Sequence, residues 1–225
     1  MRRCLEVNWN NILEAFKDTL LMTSISTIIA YVLGLPIGVL LYITSKKGLK
    51  PNPILNTILG TIVNIFRSIP CLILIIILIP LTNFVFGKGS WSGNWYSMIV
   101  PLVFASFAFI ARMVEQSLSE VNLGVIEAAK SLGASDWQII IKVLLVEAKP
   151  SLISGFAVTV VSIIGYTSFA GYIASGGLIV EAFNLGYYGT QKLGMWICIL
   201  FVVIIVQVIQ EGGLLISKKI DKRRK

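Results

Sequence analysis

Long apolar runs separated by short polar connections dominate the chain. Five runs supply the roughly 20 mostly apolar residues that a helix needs to cross a hydrocarbon core: Asp18 to Thr44, Ile54 to Phe86, Tyr96 to Ser119, Pro150 to Ile173 and Leu193 to Ile216. The pattern predicts an all-α, polytopic membrane protein with five transmembrane helices. The first run is too long and starts too late for a cleaved signal peptide, and further spans follow it. Within it, Gly34 and Gly38 carry the G-x-x-x-G spacing that lets two helices approach closely, and Pro36 removes a backbone donor and bends the helix. Two readings stay open there, plain helix packing or a pore-lining kink.

The connection between the third and fourth runs, residues 120–149, is too polar for the membrane and predicts a helix–turn–helix. Val121, Val125, Ala128, Ala129 and Leu132 recur at helical spacing, and Gly133 is a natural helix stop. Ser135-Asp-Trp-Gln138 then reads as a capping box that opens the second helix, and Ile139 to Val146 supply its apolar face. Pro150 fits the first turn of the fourth span.

Composition removes whole classes of function. Apolar residues make up 56% of the chain and charged residues 13%, against about 25% charged in an ordinary soluble domain; the mean hydropathy is +0.85. That excludes a disordered tail, a soluble nucleic-acid-binding domain and a disulfide-stapled module. There is no His, hence no His-based metal site, triad or imidazole shuttle. Cys4, Cys71 and Cys198 are far apart, with no C-x-x-C spacing. No phosphate-cradling glycine loop occurs, so the chain carries no cofactor, and any ATP driving its work is held by another subunit.

The placement of Lys and Arg predicts the orientation. Lys46, Lys47, Lys50, Arg112, Lys130, Lys142, Lys149 and the six basic residues after Ser217 fall on one side; Arg2, Arg3, Lys17, Lys88 and Lys192 fall on the other. The positive-inside rule puts the richer side in the cytoplasm, so the N-terminus lies outside and the C-terminus inside. Residues 1–17 then form an external segment, 18–217 the transmembrane domain and 218–225 a basic cytoplasmic tail. The net charge of +8 reads as contact with anionic lipid rather than with nucleic acid. Phe86, Trp91, Trp95 and Tyr96 read as an interfacial belt on the outer side.

Polar residues inside the runs are candidates for the translocation path. Arg67 lies mid-membrane if the second helix starts near Ile54, and at the inner interface if that span begins at Ser68. One long helix with Arg67 turned inward is the expectation. Arg112 and Glu115, three apart, share a helix face and can pair. Two clusters, Thr23, Ser24, Ser26, Thr27 and Thr159, Ser162, Tyr166, Thr167, Ser168, either bond helix to helix or line a polar route.

The run Glu127-Ala128-Ala129, Gly133 and then Val143-Leu144-Leu145 resembles the Glu-Ala-Ala loop of ABC importer permeases. Val63–Pro70, Phe109–Glu115, Gly165–Gly171 and Ser175–Leu178 are similar to the methionine-type permease subunit, and the likeness extends from Asp18 to Ile216. One departure is Val146, where the family usually has proline. The resemblance implies a homodimer joined to two ATP-binding subunits, with an external substrate-binding lipoprotein delivering an amino acid, most simply methionine. It implies a coupling role for Glu127, Ala128, Ala129, Gly133, Ser135 and Gln138, and an outer gate in the Gly- and Tyr-rich loop Gly171 to Thr190; Arg67, Ser162, Tyr166, Ser168 and Tyr172 are the candidate path or gate residues. It implies no covalent chemistry, so the chain is not an enzyme. The rival from the residues alone is an ion-coupled carrier or channel, disfavoured because no acidic residue lies deep in a span.

Overall fold

The structure is a computed structural model that describes residues 8–221. Arg2, Arg3, Cys4 and the terminal Lys222 to Lys225 lie outside the described residues. The architecture is all-α as expected, with no strand among the described residues. In order come α1 (Trp9–Thr44), α2 (Pro53–Ser68), α3 (Cys71–Ile77), α4 (Ile79–Phe86), α5 (Ile99–Ser119), α6 (Leu123–Ser131) and α7 (Asp136–Gln138). A wide π-helical segment (Ile139–Leu144) leads into α8 (Leu145–Glu147), then α9 (Lys149–Tyr166), α10 (Leu178–Phe183) and α11 (Lys192–Ile220). Short 3₁₀ turns precede α5 (Trp95–Met98) and extend α9 (Thr167–Ile173).

Four helical stretches are long and apolar enough to cross a membrane singly: Trp9–Thr44, Trp95–Ser119, Lys149–Ile173 and Lys192–Ile220. A fifth is reached only by counting α2 and α3 together, and the chain turns sharply between them. The expected single long second helix therefore does not form. Pro70 has no amide hydrogen to donate and sits at φ −57°, ψ 138°, and the residue before a proline is pushed out of helical geometry. Arg67 falls in the last turn of α2 and is exposed rather than turned inward.

α1 starts at Trp9, ahead of the apolar block, and so takes in part of the segment read as external. Glu14, Lys17 and Asp18 hide it from a search for apolar runs. The helical spacing survives beneath them: Ile12 and Ala15 are buried with Leu178, Ala182 and Cys198, and Phe16 and Phe201 meet edge to face at 5.6 Å.

The chain forms two compact units, which share α1, α5, α9 and α11 by their halves. The first comprises the chain up to Ile29, Ile69–Ser106 and Val160–Ile209. Its centre is Met22, Ile75, Met98, Leu102, Ile163, Ala170 and Ile173, with Trp95, Tyr166, Phe169 and Val180 packed around them. Polar ties fix its connections. The Leu178 amide donates to Thr19 Oγ1 at 2.8 Å, the Gly93 amide to the Ile173 carbonyl at 2.9 Å, and Ser175 Oγ to the Asn94 carbonyl at 2.5 Å.

The second unit comprises Ala30–Ser68, Phe107–Thr159 and the chain from Gln210. Gly34 and Gly38 decide how α1 meets α5. A Cβ on Gly34 would lie 2.7 Å from the Phe107 carbonyl oxygen, and one on Gly38 would lie 2.5 Å from that of Ala111. The G-x-x-x-G spacing is thus a packing device, the first of its two readings. α11 meets α9 in the same unit, where Ser154 Oγ donates to Ser217 Oγ at 2.8 Å and Ser217 Oγ to the Pro150 carbonyl at 2.7 Å.

Candidate functional site

The segment from Leu123 to Glu147 is a helix–turn–helix built by local signals. Asn122 caps α6, its side-chain oxygen accepting from the Gly124 amide at 2.8 Å. At the other end the Ala134 amide donates to the Ala129 carbonyl at 3.1 Å, and the Gly133 amide to that of Lys130 at 2.9 Å. This bond pair closes a helix with a left-handed residue, and Gly133 supplies it at φ +78°. Two residues on, Ser135 opens a complete capping box: the Gln138 amide donates to Ser135 Oγ at 3.4 Å, and the Ser135 amide to Gln138 Oε1 at 2.8 Å. Two helix ends and a turn are fixed within about 16 residues, before any tertiary contact is counted.

Burial then sorts the faces. Ile126, Ile139, Ile140, Leu144 and Ala148 point inward and are buried. Leu132 is 88% exposed and Trp137 69%, with Leu123, Val125, Ile141 and Val146 also on the open side. Exposed apolar side chains of this size on a polar segment are a feature of interaction sites. Glu127 and Ala128 are exposed and Ala129 is half-buried. The Glu127 carbonyl accepts from Ser131 Oγ at 3.0 Å, while no hydrogen bond or ion pair holds its carboxylate among the described residues. The next two side chains, Ala128 and Ala129, are small.

Lys50, in the α1–α2 turn, pairs with Asp136 at 3.0 Å and pins the start of α7. A cleft of about 300 Å³ lies beside it, lined by Tyr42, Lys46, Lys47, Gly48, Leu49, Leu123, Ile126, Glu127 and Lys130. At the site of the family departure, Val146 keeps the amide that a proline would lack, and the helix resumes as α8 after the π-helical turn. Asn122 was not singled out by sequence, and Lys50 was read only as a marker of orientation. The N-cap position of Asn122, one residue ahead of α6, was the available signal; for Lys50 there was none, because its partner is 86 residues away along the chain.

The path candidates fall in different places. Arg67 belongs to the second unit and is grouped with Phe109, Arg112, Met113, Glu115, Gln116 and Ser119 around a cleft of about 420 Å³. Arg112 pairs with Glu115 at 2.7 Å, as their spacing predicts, and also donates to the Gly60 carbonyl at 3.0 Å and Asn64 Oδ1 at 2.9 Å. Ser162, Tyr166, Ser168 and Tyr172 belong to the first unit. Tyr166 packs on its apolar centre, Ser162 and Ser168 are half-buried, and Tyr172 is 72% exposed.

Several hydroxyls of the two clusters bond back to their own helices. Thr27 donates to the Thr23 carbonyl at 2.7 Å, Thr159 to Gly155 at 2.8 Å and Thr167 to Ile164 at 2.6 Å. The Thr23 and Ser26 hydroxyls are buried without a hydrogen-bond partner among the described residues. No group of three His, Cys, Asp or Glu side chains is placed to hold a metal ion among them.

Residues 34–221 match the family model of binding-protein-dependent transport system inner membrane components. The chain belongs to that family. The permease is therefore a multi-pass transport component rather than an enzyme, and the ion-coupled carrier falls away. It is 37% identical over 217 residues to the probable D-methionine transport system permease protein MetI of Vibrio cholerae, covering 96% of this chain and 95% of that one. It is 46% identical over 184 residues to the methionine import system permease protein MetP of Bacillus subtilis, covering 82% of each. Among solved structures, an inward-facing conformation of the MetNI methionine ABC transporter matches with a TM-score of 0.90 at 37% identity, over 96% of this chain and 98% of that one. An amino acid ABC transporter at 17% identity shares the fold, with a TM-score of 0.73 over 93% of this chain.

Proposed function

We propose that the permease forms the membrane path of an ATP-driven amino-acid importer whose cargo is methionine. The observation that carries the reading is the likeness, at 37% identity and a TM-score of 0.90 over 96% of the chain, to the MetNI methionine ABC transporter. In this reading two copies pair in the membrane, and each engages one ATP-binding subunit in the cytoplasm. An external substrate-binding lipoprotein delivers the amino acid. The chain itself binds no cofactor, because ATP stays on the partner subunit. Its N-terminus faces outward and its C-terminus the cytoplasm, in line with the Lys and Arg placement.

The segment from Leu123 to Gln138 is the coupling element. Leu132 and Trp137 offer apolar area to the ATP-binding subunit, and the Glu127 carboxylate accepts charge-assisted hydrogen bonds from it. Ala128 and Ala129 let the partner approach closely. The Gly133 turn and the Ser135–Gln138 capping box hold the two short helices at a fixed angle, so the segment passes on a displacement instead of absorbing it. Closure of the two ATP-binding subunits around ATP moves both coupling elements, and the path opens outward to receive the amino acid. Hydrolysis resets it. Arg67, Ser162, Tyr166, Ser168 and Tyr172 are the path and gate residues of this reading.

Uptake of labelled methionine by proteoliposomes tests the proposal. The vesicles hold the permease, its ATP-binding subunit and the binding protein. Accumulation that requires internal ATP and the binding protein is the expected result. Accumulation that ignores ATP and follows an imposed ion gradient contradicts it.

A further inference from the structure

The cleft beside Arg67 carries more than a general path assignment. Its walls bring together, within one compact unit, an exposed guanidinium at the end of α2 and the last three turns of α5. Arg67 has no carboxylate partner among the described residues, whereas Arg112 is committed to Glu115, the Gly60 carbonyl and Asn64. The two arginines therefore differ in kind. Arg112 is a structural cation that ties α2 to α5, and Arg67 is a cation with its donors free. Its neighbours divide by chemistry: Glu115 and Gln116 are acceptors, and Phe109 and Met113 are apolar and polarizable.

We infer that this cleft is a transient site for the zwitterionic amino acid itself. Arg67 holds the carboxylate, Gln116 and the Glu115 oxygen that Arg112 does not take (Oε1) receive the ammonium, and Phe109 and Met113 take the thioether side chain. The inference rests on the methionine-importer reading and names the part of the permease that meets the cargo. The chemistry matches at each end. A guanidinium presents a planar fork to a carboxylate, and a thioether sulfur packs favourably against an aromatic ring. The cleft volume of about 420 Å³ falls in the range of small-molecule sites, roughly 300–1,000 Å³. A site on the path must also release its cargo. Arg67 is exposed, and a cation in contact with water binds far more weakly than a desolvated one. That suits a waypoint.

The oxyanion that Arg67 recognises has two possible sources, the amino-acid carboxylate and a lipid phosphate, and the experiment separates them. The permease with its ATP-binding subunit is placed in nanodiscs of neutral lipid, without the binding protein, and titrated with L-methionine. The same titration uses L-methioninol, which lacks the carboxylate, and 3-(methylthio)propionate, which lacks the ammonium. L-Methionine is expected to bind at least tenfold more tightly than either analogue. Arg67→Gln is expected to lose the preference over methioninol while keeping that over 3-(methylthio)propionate, and Arg67→Lys to restore part of it. Equal binding of L-methionine and methioninol by the unmutated complex overturns the site, whether or not Arg67→Gln assembles. Unchanged methionine affinity in Arg67→Gln, with a response to anionic lipid that only the unmutated complex shows, assigns Arg67 to lipid and also overturns it. A complex that accumulates methionine with ATP yet gives either result refutes the cleft alone; one that accumulates none refutes the importer reading beneath it.

Discussion

Single residues carry most of the local geometry, and glycines show it best. Gly133 has open space around any Cβ it might gain, so its role is conformational. At φ +78° an L side chain costs about 1–2 kcal/mol, and a β-branched one sits at the upper end. Gly133→Val is expected to misdirect α7 and abolish ATP-driven methionine uptake while membrane insertion stays normal, read by uptake assay and by immunoblot of the membrane fraction. Gly38 is constrained by space instead: a Cβ there meets the Ala111 carbonyl oxygen at 2.5 Å and Val114 Cβ at 2.6 Å. Gly38→Leu is expected to cost about 1–3 kcal/mol through overpacking between α1 and α5, seen as a lower melting temperature in detergent. Both glycines were legible in the sequence, one as a helix stop and one as a close-packing pair. Arg67 was misread: the expected long helix breaks at Pro70, whose missing amide ends α2, and the guanidinium is exposed rather than turned inward.

At the scale of elements, the short helices between α5 and α9 were the most readable part of the chain. Capping is encoded within a few residues, and Ser135 and Gln138 form the reciprocal bonds their spacing predicts. Ser135→Ala should cost about 1 kcal/mol locally. Amide exchange at the start of α7 is expected to speed up roughly fivefold, by the usual conversion of free energy to populations. Lys50 and Asp136 pair across the surface with side chains 72% and 42% exposed, so Lys50→Ala should cost under about 1 kcal/mol and leave uptake near normal. The apolar runs were read less well at their ends. α1 reaches back to Trp9 because its buried positions follow helical periodicity, which a count of consecutive apolar residues overlooks. The second run broke into α2, α3 and α4 because Pro70 and Pro80 interrupt it. Leu178–Phe183 lies outside the five apolar runs yet forms α10, anchored where Thr19 Oγ1 accepts the Leu178 amide.

At the scale of the whole molecule, the excess of apolar residues foretold a membrane protein, and the family resemblance rested on the Glu127–Gly133 motif with four shorter runs beside it. Long-range ties were beyond the sequence, since Arg112 reaches residues 48 and 52 positions away and nothing local announces such partners. The orientation is open to direct test. Single cysteines placed at Lys47 and Lys219 should react with an impermeant thiol reagent only from the cytoplasmic face, and one at Lys88 only from outside. The central claim is that the ATP-binding subunit works on the permease through Leu123 to Gln138. Retention of that subunit by the purified permease in mild detergent tests this most directly, comparing the unmutated chain with a Glu127→Lys, Leu132→Asp double variant. At least a tenfold loss of retained subunit from a normally inserted permease is the expected result. Full retention with undiminished ATP-driven uptake would contradict the account.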